Sequence, residues 1–130
     1  MTMAVNRYLH TRLRVSDMER SLKFYRDVIG LEIVEQSTSP RGSKLVYLRL
    51  PGTDSELELC SFPSSGQVEV PEDLVHLAFE VDLLEEWIDR LEKSSAPITE
   101  GPVTTSRGSR FLFTEDPDKY EIELIQPPPT

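Results

Sequence analysis

The sequence predicts an α+β protein built from two tandem βαβββ modules, and three observations carry that expectation. Two histidine-bearing segments are written alike, Leu9-His10-Thr11-Arg12-Leu13-Arg14-Val15-Ser16-Asp17 and Val75-His76-Leu77-Ala78-Phe79-Glu80-Val81-Asp82. Each is followed by helix-like spacing and later by a short run ending in Glu-Leu, Glu56-Leu57-Glu58-Leu59 in one half and Glu121-Ile122-Glu123-Leu124 in the other. The intervals agree too, with 48 positions from His10 to Glu58 and 47 from His76 to Glu123, which marks a duplicated unit.

Residues 8–15 alternate, with Leu9, Thr11, Leu13 and Val15 on one side and Tyr8, His10, Arg12 and Arg14 on the other, as a half-buried strand requires. Ser16 or Asp17 caps a helix of about twelve residues in which Met18, Leu22, Tyr25 and Ile29 recur at helical spacing, and Gly30 supplies its left-handed stop. Strands follow at Leu31–Gln36, Lys44–Leu50 and Glu56–Phe62, separated by turns rich in Ser, Pro, Gly and Asp. After a linker at Pro63–Asp73 the order repeats, with a strand at 74–81 and a helix at 83–94 burying Leu84, Trp87, Ile88 and Leu91. Strands near 97–103, 109–114 and 120–126 complete it, and Asp116-Pro117-Asp118 turns the chain between the last two. The expected organisation is one domain over residues 1–130, made of modules at about 6–63 and 72–126. The terminal Pro127-Pro128-Pro129 cannot extend a sheet and is expected to hang loose.

Bulk properties narrow the function classes. An apolar share of 38% against 28% charged residues suits a soluble globular chain with a core of its own. The start, MTMAVNRYLHTR, carries no apolar targeting stretch, so the chain is expected in the cytoplasm. Its single cysteine, Cys60, cannot pair internally, agrees with a reducing compartment and is expected to be an ordinary strand residue. A net charge of −9, with the basic residues scattered, argues against nucleic acid, and nothing points to a membrane.

Alternation also sets where the chemistry points. If Leu9, Leu13 and Val15, and likewise Val75, Leu77, Phe79 and Val81, pack under their helices, then His10 and His76 project from the opposite face. Leu57 with Leu59, and Ile122 with Leu124, similarly turn Glu58 and Glu123 to the helix-free face. Imidazole nitrogen with carboxylate oxygen is a borderline ligand set that suits Ni2+, Co2+, Zn2+, Fe2+ or Mn2+. His10, Glu58, His76 and Glu123 are therefore expected to hold one divalent metal.

The segments His10–Asp17, Ser21–Leu31, Val75–Asp82 and Glu115–Leu124 together resemble the glyoxalase I family of the vicinal-oxygen-chelate superfamily, over nearly the whole chain. The resemblance implies paired modules forming an eight-stranded open cleft, and a His, Glu, His, Glu ligand set that falls on His10, Glu58, His76 and Glu123. Glu58 discriminates, because epimerases of the superfamily have Gln there, other enzymes keep two His and one Glu, and drug-sequestering members lack the set. The absence of long insertions resembles the bacterial form, which prefers Ni2+ or Co2+. The implied reaction isomerises the hemithioacetal of methylglyoxal and glutathione to S-lactoylglutathione through an enediolate, with Glu123 as the main proton carrier and Glu58 across the substrate. It also implies a homodimer with sites shared between chains.

For the glutathione carboxylates the resemblance implies Arg14, and Arg107 or Arg110 is the candidate substitute for a family donor that the chain lacks. Here the chain departs from the family, since Ser61-Phe62-Pro63 replaces a Tyr-Asn-Trp-like run and Thr105-Ser106-Arg107-Gly108-Ser109-Arg110 replaces a Lys-Gly-Gly-like stretch. Three functions are compatible with these residues: a glyoxalase I, another isomerase or lyase of the superfamily acting on a CoA thioester or using a different thiol, and a ligand-sequestering protein.

Overall fold

In each half, the first strand lies beside the last one of the same half rather than beside its neighbour in sequence. The computed structural model describes residues 3–64 and 66–130; Met1, Thr2 and Ser65, the last inside the expected linker, lie outside the described residues. The chain divides into two units, Met1–Val68 and Glu69–Thr130. The first contains β1 (His10–Arg14), α1 (Met18–Leu22) continuing into π-helical turns over Lys23–Ile29, β2 (Glu32–Thr38), β3 (Lys44–Arg49) and β4 (Glu56–Ser61). Its sheet order is β1-β4-β3-β2, with β1 and β4 parallel and the other pairs antiparallel. The second contains β5 (His76–Glu80), α2 (Leu84–Lys93), β6 (Ile98–Thr104), β7 (Arg110–Glu115) and β8 (Glu121–Gln126), in the order β5-β8-β7-β6, again with only the first pair parallel. The architecture is α+β, two βαβββ units each with a four-stranded sheet.

Helix and sheet in each unit share an apolar layer. Leu13, Val15, Val46, Leu48, Leu57 and Leu59 from the first sheet are buried, as are Phe24, Tyr25 and Ile29 from the helical segment. In the second unit Leu112, Ile122 and Leu124 are buried together with Leu84 and Leu91 of α2. Both second strands carry a bulge at the matching place, Ile33/Glu35 in β2 and Ile98/Glu100 in β6. β6 has a second irregularity between Glu100 and Val103, and there the chain needs Gly101: its φ is +88°, and a Cβ would lie 2.7 Å from the Phe111 carbonyl oxygen.

The strands predicted from residues 8 and 74 begin later, at His10 and His76. Their parallel partners start opposite those histidines, at Glu56 and Glu121; the Glu56 amide still donates to the Leu9 carbonyl at 3.0 Å, but the Leu9 and Leu74 side chains remain exposed. Of the two candidate caps, Asp17 serves, its Oδ1 accepting from the Arg20 amide at 3.1 Å. The uninterrupted helix expected up to Gly30 is instead wound wider from Lys23 on. Gly30, in the left-handed region, closes it with its amide on the Tyr25 carbonyl at 3.1 Å, a five-residue span. The N-terminus of α2 has no cap from its own flank; Gln126 at the end of β8 accepts from the Leu84 amide at 2.8 Å.

Truncating Leu124 to Ala, at a fully buried position, should cost about 2–5 kcal/mol in denaturant unfolding. Leu83→Ala, at an exposed one, should stay within about 0.5 kcal/mol. Equal losses at the two positions would contradict this assignment of the core.

Candidate functional site

On the face of each sheet turned away from its helix, the parallel register sets a histidine strand beside a glutamate strand. In the first unit the row across the sheet reads Arg12, Glu58, Tyr47, Glu35, with His10 one pleat along beside Glu56. In the second the same row reads Ala78, Glu123, Phe113, Glu100, with His76 beside Glu121. His10 Nε2 lies 3.5 Å from Glu58 Oε1, and His76 Nε2 lies 3.3 Å from Glu123 Oε1. Each imidazole also meets an aromatic ring edge-on, His10 at 5.6 Å from Tyr47 and His76 at 5.3 Å from Phe113 between centroids.

Two His–Glu pairs are thus assembled, one within each unit. Among the described residues no group of three or more His, Cys, Asp or Glu stands ready for a metal. Of the four residues expected to hold a metal, His10 is paired with Glu58 and His76 with Glu123. Each sheet turns one histidine to this face. The donors nonetheless fit a divalent ion, because the His10 and His76 side chains keep 38% and 49% of their surface exposed with Nε2 next to a carboxylate oxygen.

The two carboxylates are not equivalent. Arg12 donates from Nε to Glu58 Oε1 at 2.7 Å and from Nη2 to Oε2 at 3.2 Å, a two-pronged ion pair. Burial pushes the Glu58 carboxyl up, but hydrogen bonds from Arg12 and the Tyr47 hydroxyl, with the charges of Arg12 and His10, outweigh it and hold the group below its ordinary range. Their own hydrogen bonds to Glu58 raise the pKa of the Arg12 guanidinium and of the Tyr47 phenol. Glu58 has no exposed surface, whereas the Glu123 side chain keeps 17%. Opposite Glu123, Ala78 and Phe113 provide neither a guanidinium nor a hydroxyl.

Arg12 and Tyr47 were not among the site residues expected from the sequence. Arg12 shares the His10 side by alternation, and Tyr47 falls on the same side of β3, but only the register between strands brings both to Glu58. Arg14 keeps the His10 side of β1, half-buried and opposite Cys60, about 7 Å along the strand from the Glu58 row. Arg110 departs from expectation. It shares a side of β7 with buried Leu112 and Thr114, and it binds Glu85 of α2 with Nη1 2.5 and 2.7 Å from the two oxygens. That is the helix side of the sheet, opposite to His76 and Glu123. Arg107 is exposed in the tight turn closed by Thr105 and Ser109, beyond the end of β7 that lies farthest from the His76 row.

Comparison with known proteins decides the family, since residues 7–124 match the model of the Glyoxalase/Bleomycin resistance protein/Dioxygenase superfamily. The chain belongs to that superfamily. Among curated relatives, the lactoylglutathione lyase of Haemophilus influenzae is 34% identical over 91% of this chain and 90% of its own. Among solved structures, the trypanothione-dependent glyoxalase I of Leishmania major is 30% identical, covering 94% of this chain and 87% of its own with a TM-score of 0.80. An antibiotic binding protein from a Streptomyces species is 26% identical, covering 97% and 99% with a TM-score of 0.77. The superfamily thus includes both enzymes and binders at similar distance from this chain, and the fold is the vicinal-oxygen-chelate fold of these relatives.

A depressed carboxyl contributes stability above its unfolded pKa and loses it as pH falls through the folded one. The metal-free protein should therefore lose stability as the pH drops through and below the ordinary carboxylate range, and Glu58→Gln should flatten that decline in denaturant unfolding between about pH 6 and about pH 3. An unchanged acid slope in the variant would contradict the Arg12–Glu58 assignment.

Proposed function

We propose that this chain is a metal-dependent lactoylglutathione lyase, a glyoxalase I, which isomerises the hemithioacetal of methylglyoxal and glutathione to S-lactoylglutathione. The observation that carries the reading is the repeated His–Glu pair on the helix-free face of both units, in a superfamily member with curated relatives of that name. His10, Glu58, His76 and Glu123 are the residues that hold the divalent ion, with Ni2+ or Co2+ favoured over Zn2+, Mn2+ or Fe2+. The ion supplies Lewis-acid polarisation of a carbonyl and stabilises the charge left when a neighbouring C–H proton departs. Glu123 takes that proton from the carbon beside the sulfur and delivers it to the adjacent carbon, while the hydroxyl proton of the first carbon passes to the oxygen of the second, an isomerisation that needs no external reductant. Its partial exposure and the lack of an arginine opposite it suit a carboxylate that must reach substrate. Glu58, with no exposed surface, serves as the fixed anion of the pair. Arg14, on the His10 side of β1, is the donor for a glutathione carboxylate.

The working form is a homodimer in the cytoplasm, in which a His10–Glu58 pair and a His76–Glu123 pair complete one site between chains. No helix among the described residues is long and apolar enough to cross a membrane. A second reading keeps the chemistry but changes the thiol. It draws on the trypanothione dependence named for the Leishmania relative and on Arg110, which is engaged with Glu85 instead of serving a glutathione rim.

Thioester absorbance followed on the methylglyoxal hemithioacetal of glutathione, then of other thiols, tests both readings. Turnover should appear with added Ni2+ or Co2+, and no turnover with any thiol would refute the enzyme assignment. Glu123→Gln should lower the rate by about two to four orders of magnitude with metal still bound. Unchanged turnover in that variant would remove Glu123 as the proton carrier.

A further inference from the structure

The two halves differ at one register position in a way that bears on metal loading. Arg12 stands opposite Glu58 where Ala78 stands opposite Glu123, and Tyr47 stands where Phe113 does. A carboxylate offers about four lone-pair sites on two oxygens. On Glu58 the Arg12 Nε and Nη2 groups already hold one oxygen each, at 2.7 and 3.2 Å, and the Tyr47 hydroxyl donates to the same group. A cation approaching His10 Nε2 would meet a carboxylate whose charge is already matched and whose lone pairs are largely taken.

We propose that Arg12 is an internal competitor for Glu58, a positioning residue that sets how tightly this protein holds its divalent ion. This inference rests on the reading that His10, Glu58, His76 and Glu123 hold that ion. The His76–Glu123 pair takes the cation without displacing any guanidinium. The His10–Glu58 pair joins only when Arg12 lets go, and the Arg12 side chain, 56% exposed, has solvent to swing into. Metal affinity is thereby lowered by the free energy of a charge-assisted, two-pronged hydrogen bond, and the ion is kept exchangeable. The corresponding strand position of the other half, Ala78, has no side chain able to do this.

The test is the apparent affinity for Co2+, read by competition with a chromogenic chelator on the full chain and its variants. Arg12→Met should bind Co2+ about tenfold or more tightly, the factor expected from removing a hydrogen bond to a charged group. Arg12→Lys, which keeps the charge and loses the fork, should gain less and guards against a folding defect in the first variant; thermal melting of both is read in parallel. In Arg12→Met/Glu58→Gln the gain over Glu58→Gln alone should vanish. A gain that persists without Glu58 would show a remote charge effect and overturn the proposal, as would unchanged or weaker binding in a folded Arg12→Met. His76→Ala and Glu123→Gln separate the two levels. If they weaken Co2+ binding while Arg12→Met changes nothing, the competitor role alone fails; if they too bind as the parent does, the metal reading fails and the competitor role with it.

Discussion

The parallel pairing of the first and last strands of each unit is the constraint from which the site follows. Parallel neighbours cannot be joined by a tight turn, so the chain must travel through a helix and two further strands before it returns. That detour supplies the helix which buries one face of the sheet and leaves the other for polar side chains. It also fixes His10 beside Glu56 and Glu58, and His76 beside Glu121 and Glu123, by backbone hydrogen bonds and not by the side chains themselves. A slip of one residue in either register would turn the histidine or the glutamate into the apolar layer, where Leu57, Leu59, Ile122 and Leu124 now pack.

Upon this repeated frame the two halves have been filled differently. Glu58 is fully buried and has a guanidinium, a phenol and an imidazole around it, so its charge is matched and its position fixed. Glu123 has the imidazole of His76 next to it, an alanine and a phenylalanine at its sides, and some exposure. One frame therefore provides a fully buried carboxylate and a partly exposed one.

Much of this could be read from the sequence because it depends on period and spacing. The eight strands, the two helical segments and the side on which His10, Glu58, His76 and Glu123 lie all follow from alternation, helical recurrence and the equal intervals between His and Glu, whereas the choice of Asp17 over Ser16 as cap does not. What could not be read depends on pairing between distant segments. The late starts of β1 and β5 are set by where Glu56 and Glu121 begin, the cap of α2 comes from Gln126, and the wider winding before Gly30 leaves no mark in the apolar spacing. Arg12 was placed on the correct face, but its bond to Glu58 needs the β1–β4 register. Arg110 lies in a stretch that replaces a family donor, but alternation with Leu112 and Thr114 puts it on the α2 side of the sheet.

The central claim is that the two half-sites serve one ion. X-ray absorption at the nickel edge of the Ni2+-loaded protein tests it most directly, because imidazole scattering counts histidine ligands and the chain has only two histidines. The account predicts both imidazoles on each nickel, falling to one in His10→Ala and likewise to one in His76→Ala. A single imidazole per nickel in the parent protein, or nickel scattering untouched by either substitution, would contradict it.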